Sequence, residues 1–335
     1  SDLGALCSLD TTMPNVIIKE KNSESTVDKQ VQEDSTGDYG DHNDADIGQT
    51  VNFRTTINVV DGDPKNYVLH DTMSAGLTFD PASVAVTIGE RTLAKNTDYT
   101  LVTSGLTDGC TFEVQFKDGV LKPNDVVEVA YSAEVNEYAV IGGTGNDNKT
   151  QLKYGEDKET EWDETHTYVW QFDVFKYAMR DGQEIPLAGA QFVLYKTVDK
   201  KNLYAQAANG KITGWTDDQK YATVFETPDN GKFVIAGLDA DTYYLEETKA
   251  PDGYNRLKEP VNVVITANIA SGKTVTATIT YNETATGTVK IENQTGVELP
   301  STGGIGTTVF YVIGGLLMGV AVVLLVTRKK MSTSK

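Results

Sequence analysis

The chain has few of the residues that build metal centres and covalent scaffolds. Its 335 residues include two cysteines, Cys7 and Cys110, and three histidines. Two cysteines cannot brace a protein of this length, so a disulfide scaffold is excluded. Cys110 lies in a strand-like segment and is expected to be a small buried residue, with a Cys7–Cys110 bridge as the alternative. The histidines, His42, His70 and His166, are scattered, so we expect no metal site and no cofactor.

Basic charge and catalytic sets are also scarce. The net charge is −19, which argues against nucleic acid or an anionic membrane surface as a partner. No Ser-His-Asp set or nucleotide-binding loop is present, so we expect no enzyme, and a secreted hydrolase is the least favoured alternative. Five aspartates lack the spacing of a calcium loop and are expected to form a solvated turn. They are Asp34, Asp38, Asp41, Asp44 and Asp46.

Helical periodicity is nearly absent before residue 305. Segments such as "TVNFRTTINVV", "TYVWQFDVFKY" and "VNVVITA" instead alternate apolar and polar residues, and Gly, Asp, Asn and Pro separate them. Strands of this length and spacing predict an all-β fold of two tandem immunoglobulin-like β-sandwiches. The charged segment 155–165 is expected to be a linker, which gives domains at residues 25–160 and 166–297.

One long apolar run stands near the end of the chain. Residues 305–327 carry no charge and are numerous enough to cross a bilayer as a helix. The basic tail 328–335 follows and is predicted to be cytoplasmic, which places the rest of the protein outside the cell. Because "SDLGALCSLD" does not resemble a signal peptide, we expect residues 1–24 to be the remnant of a preceding domain or linker.

The sequence LPSTG, residues 299–303, stands directly before the apolar run. A tail anchor needs no such motif, and a lipid-anchor signal ends in its apolar tail rather than in a basic cluster. The whole segment resembles the cell-wall sorting signal of Gram-positive surface proteins. That resemblance implies that a sortase recognises Leu299, Pro300, Thr302 and Gly303. Cleavage after Thr302 would remove four basic residues and no acids, so the net charge would change from −19 to −23.

The segment "GKFVIAGLDADTYYLEETKAPDGYN" resembles the E-box region of CnaB-type domains, which are immunoglobulin-like modules of Gram-positive pilins and adhesins. The resemblance implies a covalent bond between a lysine of the first strand and an asparagine of the last, assisted by a glutamate. The implied residues are Lys176, Asn293 and Glu247. Strand alternation independently places all three on inward faces, although alternation alone does not choose between Glu247 and Glu246.

Such a bond requires a buried setting. Burial lowers the pKa of a lysine and raises that of a carboxylic acid, so a neutral amine and a neutral acid can coexist. The acid polarises the carboxamide, the amine attacks its carbon, and ammonia leaves. The alternative is a buried Lys–Glu ion pair beside a hydrogen-bonded asparagine.

The first domain carries a second resemblance. Its segments "STVDKQVQEDSTGDYGDHNDADIGQTVNF" and "VAYSAEVNEYAVIGGTGNDNKTQLKY" are similar to the CnaA-type middle domain of backbone pilins. The implied triad is Lys29, Asp71 and Asn148, with Asp71 as the helper and Asn146 as the competing asparagine.

Backbone pilins of this type carry an acceptor lysine just before that domain. Lys21 stands at this place, with Lys19 behind it, but the tyrosine and proline of the usual motif are missing. The resemblances together imply a major pilin on the cell surface, with sortase, neighbouring subunits and peptidoglycan as partners. The alternative is a wall-anchored adhesin or minor pilin that binds a host matrix protein.

Overall fold

The computed structural model of the chain describes residues 24–60, 63–268 and 275–296. These residues are mostly β-strand, and the helical structure among them is a short 3-10 helix at Gln219–Tyr221. The all-β fold predicted from the alternation is therefore confirmed. Within the described ranges, no helix has the length and apolar character needed to span a membrane. The predicted span at 305–327 lies outside them.

The first sandwich is built from two sheets. One has the strand order β2-β1-β4-β10-β6-β7, and the other has the order β3-β13-β11-β5-β9-β8 with β12 paired to β11. The strands are β1 (Thr26–Gln32), β2 (Tyr39–Gly40), β3 (His42–Asp44), β4 (Thr50–Asn58), β5 (Val68–Met73), β6 (Leu77–Ile88), β7 (Arg91–Thr92), β8 (Tyr99–Val102), β9 (Phe112–Phe116), β10 (Val126–Val135), β11 (Asn146–Tyr154), β12 (Lys158–Glu159) and β13 (Asp163–Tyr168).

The first core lies between these two sheets because alternate residues of each strand point inward. In β4, Val51, Phe53 and Ile57 are buried, whereas the residues at either end of the strand are exposed. Leu69 of β5 and Val114 of β9 enter the same apolar cluster from the other sheet.

The second sandwich has the strand order β15-β14-β20-β18-β17-β16-β21-β22-β23-β24, with β19 paired to β16 and β25 paired to β14. Phe172, Leu194 and Ile235 lie in its separate apolar core. The strands are β14 (Trp170–Arg180), β15 (Gln183–Pro186), β16 (Gln191–Val198), β17 (Lys201–Ala208), β18 (Lys211–Thr216), β19 (Phe225–Glu226), β20 (Lys232–Leu238), β21 (Thr242–Lys249), β22 (Val261–Asn268), β23 (Thr276–Tyr281), β24 (Thr284–Thr286) and β25 (Val289–Glu292).

The segment 155–165, which was predicted to be a linker, contributes to the first sandwich instead. It contains β12 and the start of β13, and both strands pair with β11. Thr165 and Thr167 of β13 are fully buried, so inward and outward residues do alternate along this strand. The pattern is hard to recognise in the sequence because the inward residues are threonines and the neighbouring residues are charged. Because β13 ends at Tyr168 and β14 begins at Trp170, the two sandwiches follow one another almost directly.

Candidate functional site

Two clusters of buried polar side chains, one in each sandwich, contain the six residues implied by the sequence resemblances. Each of the six is at most 2% exposed. Burial of ionisable groups is costly unless they are paired or neutralised, so each cluster requires a physical explanation.

The first cluster lies between the two sheets of the first sandwich. Lys29 comes from β1, in one sheet, and points inward like Val31 on the same strand. Asp71 of β5 and Asn148 of β11 come from the other sheet. Asp71 stands opposite Thr150 of β11, and Asn148 is two residues away from Thr150, so both side chains share one face. The fold thus brings together residues from three separate parts of the chain.

The hydroxyl of Tyr131, on β10, connects the members of this cluster. Lys29 Nζ donates to Asp71 Oδ2 over 2.6 Å, and Tyr131 Oη donates to the same oxygen over 2.5 Å. Tyr131 Oη also accepts hydrogen bonds from Lys29 Nζ and, over 3.1 Å, from Asn148 Nδ2. One hydroxyl therefore contacts the amine, the carboxyl group and the carboxamide.

Burial changes the ionisation of this cluster. Desolvation lowers the pKa of Lys29, although the neighbouring Asp71 opposes that change. Desolvation likewise raises the pKa of Asp71 against the opposing effect of Lys29. Burial, with the charge of Asp71, raises the pKa of Tyr131 well above its ordinary value, so the hydroxyl keeps its proton. The setting favours a neutral amine, which is the nucleophilic form of lysine.

The second cluster joins the first and last strands of the second sandwich. β14 and β25 run parallel, and Lys176 stands opposite Ile291, whose carbonyl oxygen accepts from Lys176 Nζ over 3.2 Å. Asn293 follows β25, and its backbone N–H donates to the carbonyl of Tyr177 over 2.9 Å. Glu247 of β21 reaches both partners. Its Oε1 lies 3.7 Å from Lys176 Nζ, and its Oε2 accepts from Asn293 Nδ2 over 3.1 Å.

The loop after β21 holds the carboxyl and carboxamide groups of the second cluster. The backbone N–H of Leu257 donates to Glu247 Oε2 over 2.7 Å, and Asn293 Nδ2 donates to the carbonyl oxygen of Asn255 over 2.6 Å. Burial lowers the pKa of Lys176 to about 8, against the opposing charge of Glu247. A sizeable fraction of this amine is therefore neutral close to physiological pH.

Each cluster contains two unsatisfied acceptors, one oxygen of the carboxyl group and the oxygen of the carboxamide. Asp71 Oδ1 and Asn148 Oδ1 are buried and have no hydrogen-bond donor among the described residues, and the same holds for Glu247 Oε1 and Asn293 Oδ1. An unpaired buried acceptor is costly. A proton on the carboxyl group would convert one acceptor of each pair into a donor.

The competing residues have other partners. Asn146 is buried, but its Oδ1 accepts from the backbone of Val140 over 2.8 Å and its Nδ2 donates to the carbonyl of Thr167 over 3.0 Å. Glu246 is half-buried and accepts from Gln219 over 3.2 Å. These contacts give both side chains a structural role away from the two lysines.

Sequence reasoning did not identify Tyr131, although a signal for it was present. Val127, Val129 and Tyr131 alternate along β10 and are all buried, which marks the tyrosine as inward-facing. Alternation does not reveal which residue of the opposite sheet an inward side chain meets, so the contact with Asp71 could not be predicted.

Several predicted sites lie outside the described residues. These are the candidate acceptor Lys21 with Lys19, the sorting motif 299–303, the span 305–327 and the tail 328–335. Cys7 also lies outside them, and Cys110 is a half-buried free thiol.

Two of the aspartates expected in a solvated turn are instead buried at the junction between the sandwiches. Asp44 Oδ2 accepts from the indole Nε1 of Trp170 over 2.7 Å. Asp46 accepts from Lys196 Nζ over 2.5 Å and from the backbone N–H of Asp239 over 2.9 Å. The prediction of a solvated turn is wrong for these two residues because their partners are distant in sequence. The acidic segment attaches the second sandwich to the first.

The structure also groups one histidine with a thiol and two acids. His70 Nδ1 lies 2.8 Å from Asp108 Oδ2, 3.4 Å from Glu113 Oε1 and 3.6 Å from Cys110 Sγ. The spacing of these residues had not predicted this group. Burial raises the pKa of Cys110 to about 11, so the thiol stays protonated at neutral pH. We interpret the group as a hydrogen-bonded histidine.

Three family models match successive parts of the chain. Residues 47–158 match the Gram-positive pilin backbone subunit 2, Cna-B-like domain. Residues 175–282 match the SpaA prealbumin-like fold domain, and residues 291–332 match the LPXTG cell wall anchor motif. The first description names a Cna-B-like domain where the sequence resemblance implied the CnaA type.

Similar proteins support these matches. The trypsin-resistant surface T6 protein of Streptococcus pyogenes is 27% identical, over 79% of this chain and 61% of that protein. The chain thus spans less than two thirds of the length of this curated relative. The crystal structure of the group B streptococcus pilus 2b backbone protein has a TM-score of 0.60 at 23% identity, over 83% of this chain and 99% of that chain. The full-length major pilin RrgB from Streptococcus pneumoniae has a TM-score of 0.60 at 15% identity, over 83% of this chain and 75% of that chain. These two structures have the same fold as this chain.

Proposed function

We propose that this chain, which belongs by its domains and anchor motif to the LPXTG-anchored backbone pilins of Gram-positive bacteria, is a shaft subunit of a covalently polymerised pilus. The matched domains are structural modules, and the chain is the substrate of an enzyme rather than an enzyme. A sortase cysteine attacks the carbonyl of Thr302 and then transfers Thr302 to an amine of the next subunit or of peptidoglycan. The product is attached to the cell wall.

Each sandwich is braced by an amide bond between a lysine Nζ and an asparagine Cγ. One bond joins Lys29 to Asn148, and the other joins Lys176 to Asn293. The paired unsatisfied acceptors in both clusters are the observation that best supports this proposal. A proton on the carboxyl group meets the carboxamide oxygen and polarises its carbonyl, so the neutral amine attacks and ammonia leaves. The buried contacts hold the reactants together and supply a high effective molarity.

The positions of these bonds suit a protein that works under tension. Lys176 lies on the first strand of the second sandwich and Asn293 directly follows the last, and these strands are parallel neighbours. Pulling on the two ends of the sandwich therefore shears one strand past the other. A bond between Lys176 and Asn293 carries this load directly, so residues 177–292 are not stretched.

Mass spectrometry tests the proposal at two levels. The intact chain should be lighter than its sequence by two ammonia molecules, and an unchanged mass would contradict the internal bonds. Native fibres should yield a branched peptide that joins Thr302 to a lysine, with Lys21 and then Lys19 as the first candidates. If denaturing gels show a wall-linked monomer and no ladder of polymers, the chain is instead an adhesin or a minor pilin.

A further inference from the structure

We infer that Tyr131 is a catalytic residue of the first sandwich, where its hydroxyl transfers the proton lost by Lys29 to the leaving nitrogen of Asn148. This inference rests on the amide bond proposed above and adds a residue to its mechanism. Tyr131 is 3% exposed. Its ring stacks on Phe53 with centroids 5.6 Å apart and meets Phe112 edge-on at 4.9 Å, so the hydroxyl is held in place.

The hydrogen bonds of Tyr131 are those required of a proton relay. A relay must contact the group that loses the proton and the group that gains it. Lys29 Nζ and Asn148 Nδ2 both donate to Tyr131 Oη, and the single proton of the hydroxyl is donated to Asp71 Oδ2. The hydroxyl thus contacts each of the three reacting groups directly.

The second sandwich explains why the first one needs a relay. There, Glu247 Oε2 accepts directly from Asn293 Nδ2, so the carboxyl group itself contacts the leaving nitrogen. In the first sandwich the assisting carboxyl group belongs to an aspartate, and an aspartate side chain is one methylene shorter than that of a glutamate. Asp71 contacts Lys29, while Asn148 Nδ2 donates to Tyr131 instead. The tyrosine hydroxyl provides the reach that the aspartate lacks.

The relay balances in protons and electrons. The lone pair of the neutral Lys29 amine forms the Nζ–Cγ bond with Asn148, and the Cγ–Nδ2 electron pair departs with the nitrogen. As the amine attacks, the acid proton of Asp71 passes from Oδ1 to the carboxamide oxygen of Asn148, and the carboxylate that results can accept a proton on Oδ2. The proton displaced from Nζ passes to Oη while Oη gives its own proton to Asp71 Oδ2. Oη then recovers that proton as it delivers the other one to Nδ2. The proton on the carboxamide oxygen returns to Asp71 Oδ1 as the carbonyl re-forms. A secondary amide and one ammonia are formed, and both Tyr131 and Asp71 are regenerated.

Single-residue variants in the complete chain test the relay. The chain is made by cell-free synthesis, and the Lys29–Asn148 and Lys176–Asn293 crosslinked peptides are quantified by mass spectrometry over time. Tyr131→Phe keeps the ring and should slow the first bond by about 10²-fold or more, the usual contribution of a general acid or base. The second bond should form at its normal rate, and this provides an internal reference. Tyr67→Phe is the matched control, because it removes another buried hydroxyl of the same core, which lies 2.7 Å from Ser25 Oγ.

A second substitution separates proton transfer from positioning. Fluorotyrosine placed at position 131 keeps the hydroxyl and its contacts but changes its acidity. A relay predicts that the rate of the first bond changes with the acidity of the ring, whereas a positioning role predicts no change and would overturn the inference. A Tyr131→Phe chain that forms the first bond at the parental rate would also overturn it. Failure of the parental chain to lose ammonia would instead overturn the amide bonds themselves.

Discussion

Substitution of Glu247 should change how the second sandwich responds to force. Glu247→Gln keeps the size of the side chain but removes the acid that contacts both Lys176 and Asn293. Without the acid the amide bond should not form, because nothing polarises the carboxamide or accepts the proton of the amine. The two parallel end strands would then be held by hydrogen bonds and apolar packing, without a covalent bond.

The expected change in length follows from the positions of the two residues. With the proposed amide bond in place, residues 177–292 lie inside a closed loop and should add no length when the chain is pulled. In the variant those residues are released. At about 3.4 Å for each extended residue, the new length is roughly 400 Å. The first sandwich should keep its own proposed bond and add no comparable step.

Single-molecule pulling on the two ends of the chain measures this directly. The parental chain should show no step of roughly 400 Å, and the Glu247→Gln chain should show one. Glu246→Gln is the matched control, since it makes the same chemical change at the neighbouring position of the strand, where the side chain contacts Gln219. A parental chain that extends by the full step, or a Glu247→Gln chain that does not, would refute the reasoning.

Three further predictions concern stability and domain docking. Lys176→Met should lose the second amide bond and lower the free energy of unfolding by about 5 kcal/mol, the estimate for crosslinking a loop of this length; an unchanged urea midpoint would count against the bond. Asn293→Ala should leave Lys176 uncrosslinked, with its pKa lowered by burial from 10.5 to about 8. The unfolded state then binds more protons between these pH values, so the urea midpoint of this variant should rise as the pH increases from about 8 to 10.5, and a flat profile would contradict the assignment. Asp46→Ala should loosen the contact between the sandwiches, because Asp46 is the partner of Lys196 that comes from the first sandwich. Small-angle scattering would detect this as a larger radius of gyration, while both amide bonds still form; an unchanged radius would show that this ion pair does not hold the junction.

The sequence was most informative where local pattern and packing agree. Alternation correctly predicted the all-β fold. It also placed Lys29 on the inward face with the buried Val31, and Lys176 on the inward face with the buried Val174. Burial of a lysine is unusual, so an inward lysine is a strong indication of a special site.

Contacts between distant parts of the chain could not be predicted in the same way. Asp44 and Asp46 lie in a charged, turn-like segment, and only the folded structure provides Trp170 and Lys196 as their partners. Tyr131 is likewise an ordinary inward aromatic residue until the opposite sheet places Asp71 against its hydroxyl. In both cases the local structure could be predicted, whereas the strand or loop that packs against it could not.

Between the two proposed bonds lies a stretch of the chain that must resist tension by non-covalent contacts. Between Asn148 and Lys176 the chain runs through most of β11, through β12 and β13, and into β14, and neither amide bond encloses it. β13 pairs with both β11 and β3. The acidic segment after β3 also binds the second sandwich through Asp46 and Lys196. Non-covalent contacts of this kind connect the unbridged stretch to the regions enclosed by the two bonds. Because they are weaker than an amide bond, the junction between the sandwiches is where the shaft should yield first.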